Sequence, residues 1–284
     1  MNFFKVLFGG KEENPEEKRL AEESKNFDIL KYDGVKAVKT GQWQQAIRCL
    51  KHALDIREDL ECRDYLSQAL LQDNQLLAAY EELQKLQEAE PENEGILQRM
   101  ANVAFVMEDY GAMASVCEKA LLISKENPEI YYLYGRACVG QEDITNAIAM
   151  FTKAISLNED YGDAYLMRSR VMLQQGDTEA ADQDCQWLLQ RTDNVEDVLI
   201  LKANIETAKG NYKEALGYYD KVIEGNPFSI EGFGQRAELK KAMGDLQGAR
   251  EDIARLHEIN PEGHEENLEQ KMNEAYKNAN PVGF

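Results

Sequence analysis

Asn102, Arg136, Arg170 and Asn204 follow one another at intervals of 34 residues. As a set they offer recognition chemistry rather than reaction chemistry. An arginine guanidinium clamps a carboxylate through two parallel hydrogen bonds, and an asparagine amide can satisfy both the N–H and the C=O of an extended peptide. Two arginines in so regular a row are unexpected in this chain. Its 284 residues include 52 acidic and 32 basic side chains, for a net charge of −20.

Residues that could support catalysis are sparse. The three histidines, His52, His257 and His264, are far apart and form no metal-binding or proton-transfer pattern. Gly9-Gly10-Lys11 is followed by Glu12 and lacks the upstream glycine spacing of a phosphate loop. The five cysteines (Cys49, Cys62, Cys117, Cys138 and Cys185) contain no CxxC pair and fit neither a zinc ribbon nor a disulfide framework. Several fall at apolar helical positions, which points to small buried thiols in a reducing compartment. The many carboxylates read as solvated helix faces. No cofactor or metal is implied, and a non-enzyme is expected.

The charge also narrows the partners. Binding nucleic acid requires Lys and Arg to displace counterions, so a chain this acidic is not expected to bind it. No stretch is long and apolar enough for a membrane helix. The segment containing Phe3, Phe4, Val6, Leu7 and Phe8 is short, is interrupted by Lys5 and lacks a small-residue cleavage site, so neither a signal peptide nor stable membrane insertion is expected. It could cap the first repeat, contact a partner, or dock on a membrane surface. The expected location is the cytoplasm.

The elements that position these residues follow from the period. Ser67, Ala101, Gly135, Ser169, Ala203 and Ala237 are 34 positions apart, with Gly34 one interval of 33 before them. A second small-residue ladder comprises Ala46, Ala79, Met113, Ala147, Ala181, Ala215 and Ala249. Residues 196–229 show the unit. Val198, Leu199, Leu201, Ala203 and Ile205 have helical spacing, Gly210-Asn211 supplies a turn and an N-cap, and a second apolar-periodic stretch runs from Tyr212 to Val222 before Pro227. Gly41, Gly176, Gly210 and Gly244 repeat the turn, and Pro91, Pro227 and Pro261 repeat the stop.

Seven helix–turn–helix units are expected, starting near residues 27, 60, 94, 128, 162, 196 and 230. In the third, the second helix is expected to run about three residues longer, to Asn127-Pro128. Small residues such as Gly135 with Ala147, or Ser169 with Ala181, mark the helix crossings. Tyr131, Phe151, Tyr165, Trp187 and Tyr219 fill the space between layers.

The residues Tyr134-Gly135…Ala147…Phe151…Ala154 and Leu199…Ala203…Gly210…Tyr212…Ala215…Tyr219…Pro227 match in order and spacing a tetratricopeptide pattern, and the chain resembles a tetratricopeptide repeat (TPR) array. The resemblance covers about residues 27–262 and implies an all-α, right-handed superhelical solenoid of about seven repeats with a C-terminal capping helix. Residues 1–26 are then an apolar and charged lead-in, 27–262 the array, and 263–284 the capping helix and a short tail.

In this family the first helix of each unit lines the concave groove. The resemblance places Asn102, Arg136, Arg170 and Asn204 there, with Gln98, Arg99, Tyr132, Leu133, Leu166, Met167, Ile200 and Leu201 as neighbours. It implies a scaffold or adaptor that binds a protein or peptide segment of acidic or carboxylate-bearing character. Alternatively, Arg136 and Arg170 pair with acids of adjacent repeats, for which Glu129 and Asp163 are candidates. Some members carry a dicarboxylate clamp for chaperone tails. Here Lys31 is followed four residues later by Val35, and Tyr65 stands at the next Asn position, so that clamp is not expected. Two other functions remain open: a peptide-responsive regulator, and a peripheral membrane-associated assembly factor using the apolar N-terminus.

Overall fold

In the computed structural model the described residues are 14–261, all of their regular structure is helical, and fourteen helices follow one another in consecutive pairs. The N-terminal apolar cluster, His264 and the expected capping helix at 264–278 lie outside the described residues. The chain forms two compact units, residues 1–142 and 143–284.

The first unit holds α1 (Pro15–Lys39), α2 (Trp43–Ile56), α3 (Leu60–Gln72), α4 (Leu76–Ala89), α5 (Glu94–Val106), α6 (Tyr110–Ile123) and α7 (Pro128–Gly140). α1 is 25 residues long because several start signals coincide ahead of the first repeat. Asn14 caps the helix by accepting from the Glu16 N–H, and Pro15 supplies a pre-set first turn. Glu16 and Glu17 sit at the positive end of its dipole, with Lys36 and Lys39 at the negative end. From Pro15 on, the charged lead-in and the first helix of the first repeat are thus one continuous helix.

Within this unit each helix packs on the next, while α1 also reaches α3 and α5 reaches α7. That pattern is a layered stack in which every pair buries its apolar face on its neighbours. Gly34 lies where α1 crosses α2. A Cβ there would stand 2.6 Å from Leu50 Cγ, so only glycine permits the approach. α6 ends at Ile123, no longer than its counterparts. Asn127 and Pro128 do not extend it; they cap and open α7, where the missing N–H of proline costs nothing.

The second unit holds α8 (Ile144–Leu157), α9 (Gly162–Gln174), α10 (Thr178–Leu189), α11 (Glu196–Ala208), α12 (Tyr212–Gly225), α13 (Ile230–Ala242) and α14 (Leu246–Ile259). Here Ser169 and Ala181 meet as their spacing predicts: the Ser169 hydroxyl donates to the Ala181 carbonyl at 2.7 Å. Phe151 and Tyr219 are buried between layers, and Tyr165 stacks on Trp187 with ring centroids 3.9 Å apart.

All seven intra-pair turns share one backbone geometry. Gly41, Asn74, Glu108, Glu142, Gly176, Gly210 and Gly244 each have positive φ, between 57° and 86°. At the first, the Gly41 N–H bonds the Val38 carbonyl and the Gln42 N–H bonds that of Ala37, at 3.1 and 2.9 Å. This left-handed closure satisfies the last carbonyls of the first helix. The next residue then opens the second helix. Asp109, Asp143, Asp177 and Asp245 cap it with their carboxylates, whereas Asn211, at the same position, turns its amide to Glu206 instead.

Candidate peptide-binding faces

In the first unit, the spacing of four places Gln98 and Asn102 on one stripe of α5, and Tyr132 and Arg136 on one stripe of α7. Asn102 is exposed, and Tyr132 and Arg136 are half-buried. The Arg136 guanidinium lies over the Phe105 ring, 3.7 Å from its centroid, and 5.6 Å from that of Tyr132. Gln98 donates to Glu129 at 3.2 Å.

Arg99 points along α5 toward α3 and pairs with Asp64 at 2.5 Å, while Gln68 donates to the other oxygen of that carboxylate. Leu133 departs from the expected groove lining. It is only 4% exposed and belongs to the core of α4–α7, because one residue beyond Tyr132 is a turn of about 100° around the helix. Leu201 and Ile200 in the second unit are buried for the same reason.

In the second unit, Met167 and Leu166 are half-buried on α9. Arg170 on that helix pairs with Asp197 at the start of α11, Nη2 to Oδ1 at 2.7 Å, with both side chains well exposed. The acidic partner is therefore Asp197, not Asp163. Such an exposed pair contributes about 0–1 kcal/mol, so a ligand carboxylate can compete for the arginine. Asn204 on α11 accepts the Tyr219 hydroxyl proton through Oδ1, which orients its amide and leaves the Nδ2 donors for a ligand. Burial pushes the Tyr219 phenol up to about 12, so it stays a donor.

A separate set of charges lies deeper in this unit. Arg168 forks onto Asp184, and Arg236 onto Asp252. Between them in the repeat, Lys202 bonds Asp182 and Glu206, both at 2.6 Å, with Lys209 also on Asp182. Burial disfavours the Lys202 charge, but hydrogen bonds to the two carboxylates outweigh it and hold the ammonium well above its ordinary pKa. Burial likewise opposes the charges of Asp182 and Glu206, and the lysine hydrogen bonds override it and hold both carboxyls below their ordinary values. The signal was present in the sequence: Arg168, Lys202 and Arg236 are 34 residues apart, each just before a member of the small-residue ladder.

Among the described residues no cluster of three or more His, Cys, Asp or Glu could hold a metal ion. Cys62, Cys117 and Cys185 are buried, and desolvation pushes each thiol up to about 12, so none is a nucleophile at neutral pH. No helix is long and apolar enough to cross a membrane among the described residues.

Family models described as tetratricopeptide repeat match residues 37–64 and 128–161, the second spanning the fourth repeat. Among solved structures, a tetratricopeptide repeat protein from Parabacteroides merdae superposes with a TM-score of 0.73 at 15% identity, covering 87% of this chain and 97% of that one. PilW, a type IV pilus biogenesis factor, gives 0.64 at 19%, covering 74% of this chain and 97% of its own. YrrB, described as a TPR protein with an unusual peptide-binding site, gives 0.50 at 21%, covering 66% and 97%. The helix pairs, their left-handed turns and the two family matches agree on the repeat: this chain carries tetratricopeptide repeats, and its described helices fit about seven of them.

Proposed function

We propose that the chain is a non-enzymatic scaffold whose first-helix faces hold an extended, carboxylate-bearing protein segment. The TPR fold supports protein–protein interaction in general. The finer assignment gives Asn102 and Arg136, flanked by Gln98, Arg99 and Tyr132, to the first unit, and Met167, Arg170 and Asn204 to the second. In this reading residues 27–262 act as the interaction module, with 1–26 and 263–284 flanking it.

Arg136 carries the reading. Within its unit its guanidinium meets aromatic faces rather than a carboxylate. Stacking fixes the plane of the guanidinium while leaving its N–H groups available to a ligand carboxylate. Asn102 and Asn204 add amide donors of the kind that satisfy a peptide backbone. The peptide-binding site named for YrrB adds that this fold accommodates such a ligand.

The test is quantitative crosslinking and mass spectrometry from native lysate with wild type and the Arg136→Glu/Arg170→Glu double variant. Both residues are partly exposed, so the variant is expected to melt as wild type does. Loss of the captured partners is the expected result. Full retention by the folded variant would overturn the reading.

A further inference from the structure

A groove of about 620 Å³ opens between α2, α3 and α4 in the first unit, on residues that the first-helix faces do not use. Its floor is apolar, from Ile47, Leu54 and Leu66. One wall is basic: Arg48 and Lys51, with His52 beside them, project from α2 at the spacing that puts them on one face. In a chain of net charge −20 such a wall is an exception.

Internal pairing does not account for it. On the opposite side, Arg63 grips Glu58 and Glu82, and Lys85 bonds Glu82 at 2.8 Å. The Glu82 carboxylate is thereby neutralised within the groove. Arg48, Lys51 and His52 are exposed and take part in no ion pair or side-chain hydrogen bond among the described residues. Asp55 is the one remaining acid of the lining, against three unengaged basic side chains.

We propose that this groove binds an acidic peptide segment, its carboxylates meeting Arg48, Lys51 and His52 while an adjacent apolar side chain covers Leu54 and Leu66. The apolar floor distinguishes a peptide from a bare inorganic anion, which would leave it wet. Asp55 and the acidic surface beyond the groove repel a polyanion such as nucleic acid. A peptide of modest charge escapes most of that repulsion, because at physiological salt the surface beyond roughly 8 Å is screened. The site is on the second-helix side of the array and is independent of Arg136.

The experiment is fluorescence anisotropy on the full chain with a short fluorescein-labelled peptide of Glu and Leu, its Gln-for-Glu counterpart, and inorganic phosphate as competitor. The wild type is expected to bind the Glu/Leu peptide at least about tenfold more tightly than the Gln/Leu peptide. Arg48→Glu/Lys51→Glu is expected to remove that preference with an unchanged melting temperature, and the milder Arg48→Gln/Lys51→Gln to weaken it. These comparisons are made in the Arg136→Glu/Arg170→Glu background, which removes the first-helix faces from the reading, and the Glu/Leu preference is expected to persist in that background. No binding by wild type, equal binding of the two peptides, an unaffected charge-reversed variant, displacement by inorganic phosphate at low concentration, or loss of the Glu/Leu preference in the Arg136→Glu/Arg170→Glu background would each overturn the proposal.

Discussion

Arg168 and Asp184 meet end to end, Nε to Oδ2 at 2.8 Å and Nη2 to Oδ1 at 2.7 Å, and Arg236 and Asp252 reproduce the fork two repeats later. Each aspartate is almost fully buried. The fork ties the first helix of a repeat to its second at a depth where an unpaired charge is costly. Its value is therefore asymmetric: removing one partner strands the other.

Arg168→Ala is accordingly expected to destabilise by about 3–5 kcal/mol, since Asp184 is left buried without its partner. Arg168→Met with Asp184→Leu is expected to lose far less, because neither charge remains. Urea unfolding of both variants checks this. Equal losses would show that packing of the arginine stem, rather than its charge, dominates.

The Lys202 network is expected to contribute a pH window to the stability of the second unit. Asp182 and Glu206 titrate below their ordinary values of 3.8 and 4.5, so their contribution is present above those values and lost as pH falls through the lower, folded ones. Lys202 is raised above 10.5, so its contribution is present below that value and lost as pH rises through the higher, folded one. Thermal melts are expected to show a plateau from about pH 5 to 10, with a loss on either side attributable to this network. Lys202→Met should lower the plateau and shrink the alkaline loss. An unchanged alkaline limb in that variant would remove Lys202 from the explanation.

Glu108 and Glu142 hold left-handed turns that four other repeats assign to glycine. A side chain in that conformation costs roughly 1–2 kcal/mol, while glycine adds back about 0.4–1 kcal/mol of unfolded-chain entropy. Glu108→Gly and Glu142→Gly are each expected to stabilise by about 0.5–1 kcal/mol, read as a rise in the urea midpoint with an unchanged slope. A fall in midpoint would mean that the glutamate side chains make compensating interactions.

Much of the fold was legible because a solenoid writes its geometry into the sequence at a fixed interval. Ser169 and Ala181 could be placed at a crossing before any coordinates, since close approach admits only small side chains there. Four of the seven turns were visible as glycine. Asn74, Glu108 and Glu142 were not, because stacking on both sides can force a residue into a conformation that its own preference resists. The end of α6 is not legible in the sequence for a related reason: Pro128 reads equally as a stop or a start, and the N-cap of Asn127 decides it.

The candidate faces were legible in part. The ladder Asn102, Arg136, Arg170 and Asn204 follows from the interval, but the interval does not separate Tyr132, half-buried on the stripe it shares with Arg136, from Leu133, buried in the core. Nor could it tell an occupied arginine from a stacked one. Arg170 finds Asp197, and Arg136 finds Phe105.

By itself, then, the sequence determined the repeat, the helix pairs, the small residues at their crossings and the absence of a recognisable catalytic pattern, because all of these are local or recur at one spacing. Only the tertiary structure decided which charges are spent on the fold and which remain available. Arg168 is committed to Asp184 and Lys202 to Asp182 and Glu206, while Arg48 and Lys51 are left facing a groove. Pairing across helices depends on side-chain direction and burial, and neither quantity repeats with the period.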